Sequence, residues 1–312
     1  MKLIGSIIKC YNKLSIFGKV LIYIIMVLFV VSFFKKLFGS KMKKEGFIDE
    51  NNFIFKEGDA VYDDFYATVY NNLVFNQIKN DFEIGAIINS TFANETSVIA
   101  DIGCKTGEHT NELKNQISSN LSIIGIDKSP SLVQKAKENF PNLQFKVGNG
   151  LDDTLFNDGS LTHILCLDLA IYQMENKKQF FENCMKWNMS GGYLIVHLVD
   201  RHRFQQLLNS INPLYEIVPQ GDSNTAKTKI AFKDFLYNAN YKVDFSKDIA
   251  LLEEKFKFPD GKIRKQEQKY FMEDITSIVS TAQNAGYIIH AKINLSDCDY
   301  QNEYLYVFSK PS

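Results

Sequence analysis

Between residues 97 and 107 the chain reads SVIADIGCKTG, an apolar run, an aspartate, and glycines at positions 103 and 107. Glycines there let the backbone pass close to a ligand, and a helix starting just after them offers unsatisfied N–H donors. Asp101, ahead of the glycines, is placed to meet a cationic amine and not only a ribose. Asp127 closes the next apolar run, LSIIGID, where a carboxylate can accept both hydroxyls of a ribose. A polar turn, Gly148-Asn149-Gly150, follows a third run. Together these residues suit a nucleoside that carries an amino-acid group.

Groups able to move a proton stand further along. His197 and Asp200 lie in HLVDRHRF at the end of a later apolar run. In open α/β sheets ligands bind at the carboxyl ends of the strands, where such residues can act as bases. Each also has a plainer role, His197 packing within the sheet and Asp200 capping a helix that begins at Arg201. Asp168 and Tyr172 are comparable candidates, with helix-start polarity and core packing as their plainer roles. Tyr62, Tyr66 and Tyr70 share one helical face and could close over a cationic ligand, although such a stripe also serves as simple core.

Composition narrows the field. The chain has 312 residues with a formal net charge of -1, so no overall pull toward nucleic acid is expected. Its five cysteines (10, 104, 166, 184 and 298) lack Cys-x-x-Cys spacing, and its histidines lack ligand spacing. Neither a disulfide framework nor a metal site is expected.

Elements that must position these residues alternate in the manner of a parallel α/β sheet. Strands are expected at 97–102, 121–126, 143–147, 161–167 and 193–199. Helices are expected at 108–118, 130–139 and 176–187, with two more helical patterns around 59–90. Strict alternation at 235–245, then a Pro259-Asp260-Gly261-Lys262 turn between 253–258 and 263–270, predicts a small antiparallel insertion over 231–271 after the fifth strand. A helix at 273–284 and two strands at 287–293 and 303–309, pairing antiparallel, complete the sheet.

One segment is of another kind. Residues 16–34 read IFGKVLIYIIMVLFVVSFF, with Lys19 the only charge. As a helix this segment is about 28 Å long, roughly the hydrocarbon thickness of a bilayer. It is apolar all round, and Phe33-Phe34-Lys35-Lys36 offers no small-residue cleavage site, which favours a retained anchor over a signal peptide. Residues 1–34 are therefore expected to form a membrane anchor and 35–58 a basic juxtamembrane linker, followed by a catalytic domain over 59–312. The excess of lysines after the span places that domain on the cytoplasmic side of a single-pass protein.

The segments VIADIGCKTGEHT and IIGIDKSPSLVQKAK resemble the first and second motifs of class I S-adenosylmethionine-dependent methyltransferases. FKVGNG resembles their adenine-contacting turn, and WNMSGGYLIVHLV their fifth strand with its preceding double-glycine turn. GYIIHAKINL and EYLYVFSK resemble the last two strands. The resemblance, over roughly residues 60–310, implies a Rossmann-like, seven-stranded, mostly parallel sheet with an antiparallel last strand and helices on both faces. It implies S-adenosylmethionine as cofactor, with Asp101, Gly103, Cys104 and Gly107 around the methionine part and Asp127 and its neighbour Lys128 at the ribose. Asn149 and Gly150 would hold the adenine, and Cys166, Leu167 and Asp168 would end the strand that lines the transfer site. Two positions depart from the pattern. Lys105 replaces the middle glycine, which requires φ < 0 there and a side chain in solvent, and Asn149 replaces an aspartate but keeps an acceptor. A nicotinamide dehydrogenase would need Gly-x-Gly-x-x-Gly, which Gly103 and Gly107 do not supply. Methyl transfer to a small-molecule or membrane-proximal acceptor is the expected function. A catalytically silent, membrane-tethered module and a protein methyltransferase are the alternatives.

Overall fold

The structure, a computed structural model, describes residues 53–203, 216–219 and 225–312, together with Ser15 and Lys19. Apart from Lys19, the expected membrane span at 16–34 lies outside the described residues, as does 35–52. Among the described residues no helix is long and apolar enough to cross a membrane.

A seven-stranded sheet forms the base of the molecule. Its strands are β2 (Val98–Ile102), β3 (Ser122–Asp127), β4 (Gln144–Val147), β5 (Leu161–Cys166), β6 (Asn188–Val199), β12 (Ile288–Asn294) and β13 (Glu303–Ser309), in the order β12-β13-β6-β5-β2-β3-β4. All neighbours pair parallel except β13, which is antiparallel to both β6 and β12. Apolar residues on both strand faces explain the arrangement, since a parallel sheet must be covered on each side. Along β2, Ile99 joins one buried cluster while Ala100 and Ile102 join another.

Helices α3 (Glu108–Ile117), α4 (Pro130–Asn139) and α5 (Lys177–Trp187) follow β2, β3 and β5, and α6 (Ile275–Asn284) precedes β12. Ser129 caps α4 by accepting from Leu132 N, with Pro130 at the permissive first turn. The helical patterns expected around 59–90 resolve into α1 (Asp64–Val74) and α2 (Gln77–Thr91), with Tyr62 just ahead of α1 instead of within it.

Two expected boundaries need correction. The linker was expected to run to residue 58, yet β1 (Phe53–Glu57) is a strand that pairs parallel with residues 263–267. The antiparallel insertion is also larger than 231–271. It comprises β7 (Glu216–Pro219), β8 (Thr225–Ala231), β9 (Leu236–Asp244), β10 (Ile249–Lys257) and β11 (Ile263–Phe271), and with β1 makes a six-stranded sheet. Alternation along β9, β10 and β11 buries one face and leaves the other to solvent. The buried face, with Tyr237 and Phe256 fully enclosed, belongs to the same apolar cluster as the large sheet.

Candidate active site

The inserted sheet is held over the carboxyl ends of β2, β5 and β6 by α1. Phe65 meets Phe256, Phe258 and Phe235 edge-on, with ring centroids 5.2, 5.4 and 6.1 Å away. Such pairs add about 0.5–1.5 kcal/mol each beyond the area they bury. Arg264 of β11 donates to both carboxylate oxygens of Asp63, at 2.9 and 2.8 Å, and to the carbonyl of Val61 at 2.9 Å. Asp63 is also the N-cap of α1, accepting from Tyr66 N. One ion pair thus fixes both the start of α1 and strand β11 of the lid. On the other side, Asn71 of α1 accepts from the Thr106 hydroxyl at 2.6 Å and donates to Glu108.

The turn from Asp101 to Gly107 links β2 to α3. The N–H groups of Gly103 and Cys104 donate to the carbonyl of Ile126 at 2.7 and 3.0 Å, holding the turn against β3. Gly103 and Gly107 have φ of +79° and +90°. A Cβ at Gly103 would stand 2.7 Å from that of Ala170, and one at Gly107 2.7 Å from the Phe145 ring, so packing as well as backbone shape demands glycine. Asp127 is buried and accepts from Lys105 N at 3.0 Å and Ser129 N at 2.9 Å. A carboxylate has about four acceptor positions, so two remain for hydroxyls. Asp101 is buried and accepts from the Thr110 hydroxyl at 2.6 Å. Burial raises the pKa of both aspartates.

Lys105 departs from expectation. Its φ is +53° and the residue is buried, not solvent-facing. The tight turn requires the left-handed backbone so that the Lys105 N–H reaches Asp127. The side chain then runs inward, where its ammonium donates to the Asp168 carbonyl at 2.6 Å and lies 5.5 Å from the centre of the Tyr70 ring. Asp168 also pairs with Lys79 at 2.8 Å, and Lys79 with Glu83 at 2.8 Å. His109 Nε2 stands 3.0 Å from Glu83 and its Nδ1 3.7 Å from Asp168. Burial alone would raise the Asp168 pKa, but the ammoniums of Lys79 and Lys105 outweigh it and hold the carboxyl well below its usual range. For His109 burial works downward, and Asp168 and Glu83 overcome it to raise the pKa.

Glu83, His109 and Asp168 hold ligand atoms within 4.8 Å of one another, a spacing that suits a metal ion. The Lys79 ammonium already lies 2.8 Å from each of the two carboxylates, so the group reads as a charge cluster.

A cavity of about 90 Å³ opens between this cluster and the lid. Its walls include Tyr62, Tyr66 and Tyr70 from the N-terminal side, Gln268 and Tyr270 from the lid, and His197 and Glu303 from β6 and β13. A hollow of about 490 Å³ on the outer face of the lid, lined by Lys227, Lys229, Glu253 and Lys265, lies away from the strand ends.

Among the sequence candidates, Asp168 and His197 line the cavity and Asp101, Gly103, Gly107 and Asp127 frame the adjoining turn. Others do not reach it. Tyr172 is fully buried, and its hydroxyl accepts from Val199 N at 2.9 Å, fastening the segment after β5 to the end of β6. Asp200 accepts from His202 N at 3.1 Å and so caps the turn at 201–203. The Cys104 thiol packs with Val133, Ala136 and Phe145, while Cys166 and Leu167 belong to the two faces of the sheet core. Lys128 pairs with Asp59, and exposed Asn149 spends its amide oxygen on Leu151 N at 3.0 Å. Gly150 is buried, its carbonyl accepting from Asn183 at 3.0 Å. Lys79, Glu83, Glu254 and Gln268 were missed because they come from segments outside any motif, and His109 and Glu303, although within the segments VIADIGCKTGEHT and EYLYVFSK, because nothing local marks their partners. A buried ionisable residue leaves no mark in a single sequence unless its partner is known.

Residues 99–192 match the family model described as a methyltransferase domain. Those residues of the chain form a methyltransferase domain. A putative methyltransferase, 235L of Invertebrate iridescent virus 6, is 45% identical over 99 residues, or 31% of this chain. The match spans 36% of that relative's length. Among solved structures, an S-adenosylmethionine-dependent methyltransferase from Clostridium acetobutylicum superposes with a TM-score of 0.59 at 14% identity, covering 80% of this chain and 97% of the other. The sugar N-methyltransferase KedS8 from a Streptoalloteichus species gives 0.56 at 14% identity, covering 76% and 88%. At such identities the likeness is one of fold. The glycine turn at Asp101–Gly107 lies within the matched residues, with the cavity beside it.

Proposed function

We propose that the chain transfers a methyl group from S-adenosylmethionine to a small-molecule or membrane-proximal acceptor held under the lid. The observation that carries this reading is the pairing of Asp101 and Asp127 at the carboxyl ends of adjacent parallel strands, with the glycine turn between them and the cavity beside it. The donor set fits the cofactor. Asp127 keeps acceptor positions for ribose hydroxyls, the first N–H groups of α3 lie at the turn, and Asp101 and Asp168 stand where a methionine ammonium needs carboxylates.

When bound, the cofactor supplies an activated methyl group on a sulfonium. The protein's part is then alignment and exclusion of water, for which orientation contributes about 7–11 kcal/mol in favourable cases. Tyr66 and Gln268 fix the lid over the cavity through a shared hydrogen bond of 2.9 Å, and the Tyr62 hydroxyl donates to Gln268 at 2.7 Å. His197, buried and at the cavity wall, is the group best situated to accept a proton. Calorimetry of the full chain with S-adenosylmethionine, followed by transfer of labelled methyl to fractionated cell extract, tests the reading. Label in small molecules supports it, and label confined to protein transfers the assignment to a protein acceptor.

A second reading, a cofactor-fold module without turnover, is favoured by one observation. The Lys105 side chain stands in the cavity, anchored to Asp168. Cofactor binding without any labelled product would favour it. We also propose that residues 16–34 anchor the chain in a membrane with the domain on the cytoplasmic side. Support comes from the length of the apolar run and the lysines that follow it. Alkaline carbonate extraction of membranes containing the full chain would release it if no anchor exists.

A further inference from the structure

We propose that the cavity is built for a small amine, bound as an ammonium against the tyrosines and deprotonated by His197, with Glu303 positioning the His197 ring. The inference rests on the methyltransferase reading above and names its substrate class.

The first observation is the balance of charge around the cavity. Lys79 and Lys105 are answered by Glu83 and Asp168 on one wall. On the opposite side, Glu254 and Glu303 have no lysine or arginine at ion-pairing distance among the described residues. Glu254 is buried and is met by the hydroxyls of Tyr237 and Tyr66 at 2.6 and 3.3 Å and by the side-chain amides of Gln266 and Gln268, each at 2.7 Å. Four donors on two oxygens is an arrangement that the carboxylate uses in full. Tyr70 and Tyr300 already face the Lys105 and Lys79 ammoniums, and a cavity with surplus carboxylate and the further rings of Tyr62, Tyr66 and Tyr270 in its wall favours a cationic guest over a neutral one.

The second observation is independent. His197 is only 2% exposed, yet neither ring nitrogen has a hydrogen-bond partner, an expensive state for a buried polar group. Its Nε2 lies 3.0 Å from Glu303 Oε2, close enough for the carboxylate to orient the ring although no hydrogen bond joins them. A ring so placed is ready for a donor that enters the cavity. An ammonium N–H is such a donor. The proton passes from the bound ammonium to His197, freeing the nitrogen lone pair. The nitrogen then forms its bond to the transferred methyl carbon as the carbon–sulfur bond breaks with its electron pair on sulfur, and the product leaves as a methylated ammonium. The same box could serve only the cofactor's own positive sulfonium, which the test must separate.

The full chain is saturated with S-adenosylhomocysteine, whose sulfur is neutral, and titrated calorimetrically with cyclohexylamine and with cyclohexanol. The amine is expected to bind at least about tenfold more tightly than its hydroxyl counterpart. Glu303→Gln should erase that preference while leaving the nucleoside's affinity unchanged, and Glu303→Asp should restore part of it. Tyr270→Leu, which leaves both carboxylates in place, should weaken the amine alone, so a poorly folding Glu303 variant does not spoil the test. Equal binding of the two probes, or binding of neither, overturns the proposal and leaves the box to the sulfonium. Absence of binding heat for the nucleoside itself overturns the methyltransferase reading, and this proposal with it.

Discussion

The Lys105 ammonium donates to the main-chain carbonyl of Asp168 at 2.6 Å, bridging the turn after β2 to the residue after β5 across the mouth of the cavity. It does so from a left-handed backbone that non-glycine residues adopt only at a cost of roughly 1 kcal/mol or more. Lys105→Gly removes both the strain and the bridge. Calorimetry should then show S-adenosylmethionine binding on the order of tenfold more tightly, because the bridge no longer has to open first. Weaker binding by the glycine variant would instead make Lys105 a ligand of the cofactor.

Stability should fall as pH rises through the neutral range, by way of His109. Its folded pKa is raised from 6.5 by Asp168 and Glu83, despite the opposing effect of burial. A raised value means that protonation favours the folded state. The contribution is complete below pH 6.5 and is lost as pH climbs through the folded value. Thermal melts from pH 6 upward should therefore decline more steeply for the native chain than for His109→Gln. Parallel curves would refute the coupling.

Arg264→Ala is expected to destabilise the domain by about 2–4 kcal/mol, since it removes the two-pronged partner of Asp63, leaving only Lys56 at 3.6 Å, and takes one of two donors from the Val61 carbonyl. Chemical denaturation measures the loss, and limited proteolysis should cut first within the lid strands. Arg264→Lys, a point charge where a fork was used, should recover only part of the loss.

Tyr172→Phe separates structure from chemistry. Its hydroxyl serves the Val199 backbone, so removal should cost about 1 kcal/mol of stability. Any methyl transfer per folded molecule should stay within about twofold of the native chain, because the residue does not line the cavity. A hundredfold loss at unchanged cofactor affinity would return Tyr172 to the list of reacting groups.

Much of the base sheet was legible because its strands are short apolar runs, two of them closed by Gly103 and Asp127, and such patterns are local. Boundaries drifted only where pairing overruled punctuation. The Gly191-Gly192 pair, expected as a turn before the strand, lies inside β6, which begins at Asn188. The lid was legible only in part. Its hairpin around Pro259–Lys262 is local, but FIFKE at 53–57 becomes a strand solely by pairing with residues more than 200 positions later. The site divides the same way. Asp101 and Asp127 sit at strand ends that the pattern reveals. The network of Lys79, Glu83, His109 and Asp168 exists only once α2, α3 and the segment after β5 converge.

Because β1 docks on β11, the first described strand shields what would otherwise be a bare row of backbone donors and acceptors along the lid. A chain trimmed to start at residue 59, where the sequence pattern alone would have cut, bares that rim and invites copies to stack through it. Such a fragment should be sticky and short-lived at concentrations where one starting before Phe53 stays monodisperse.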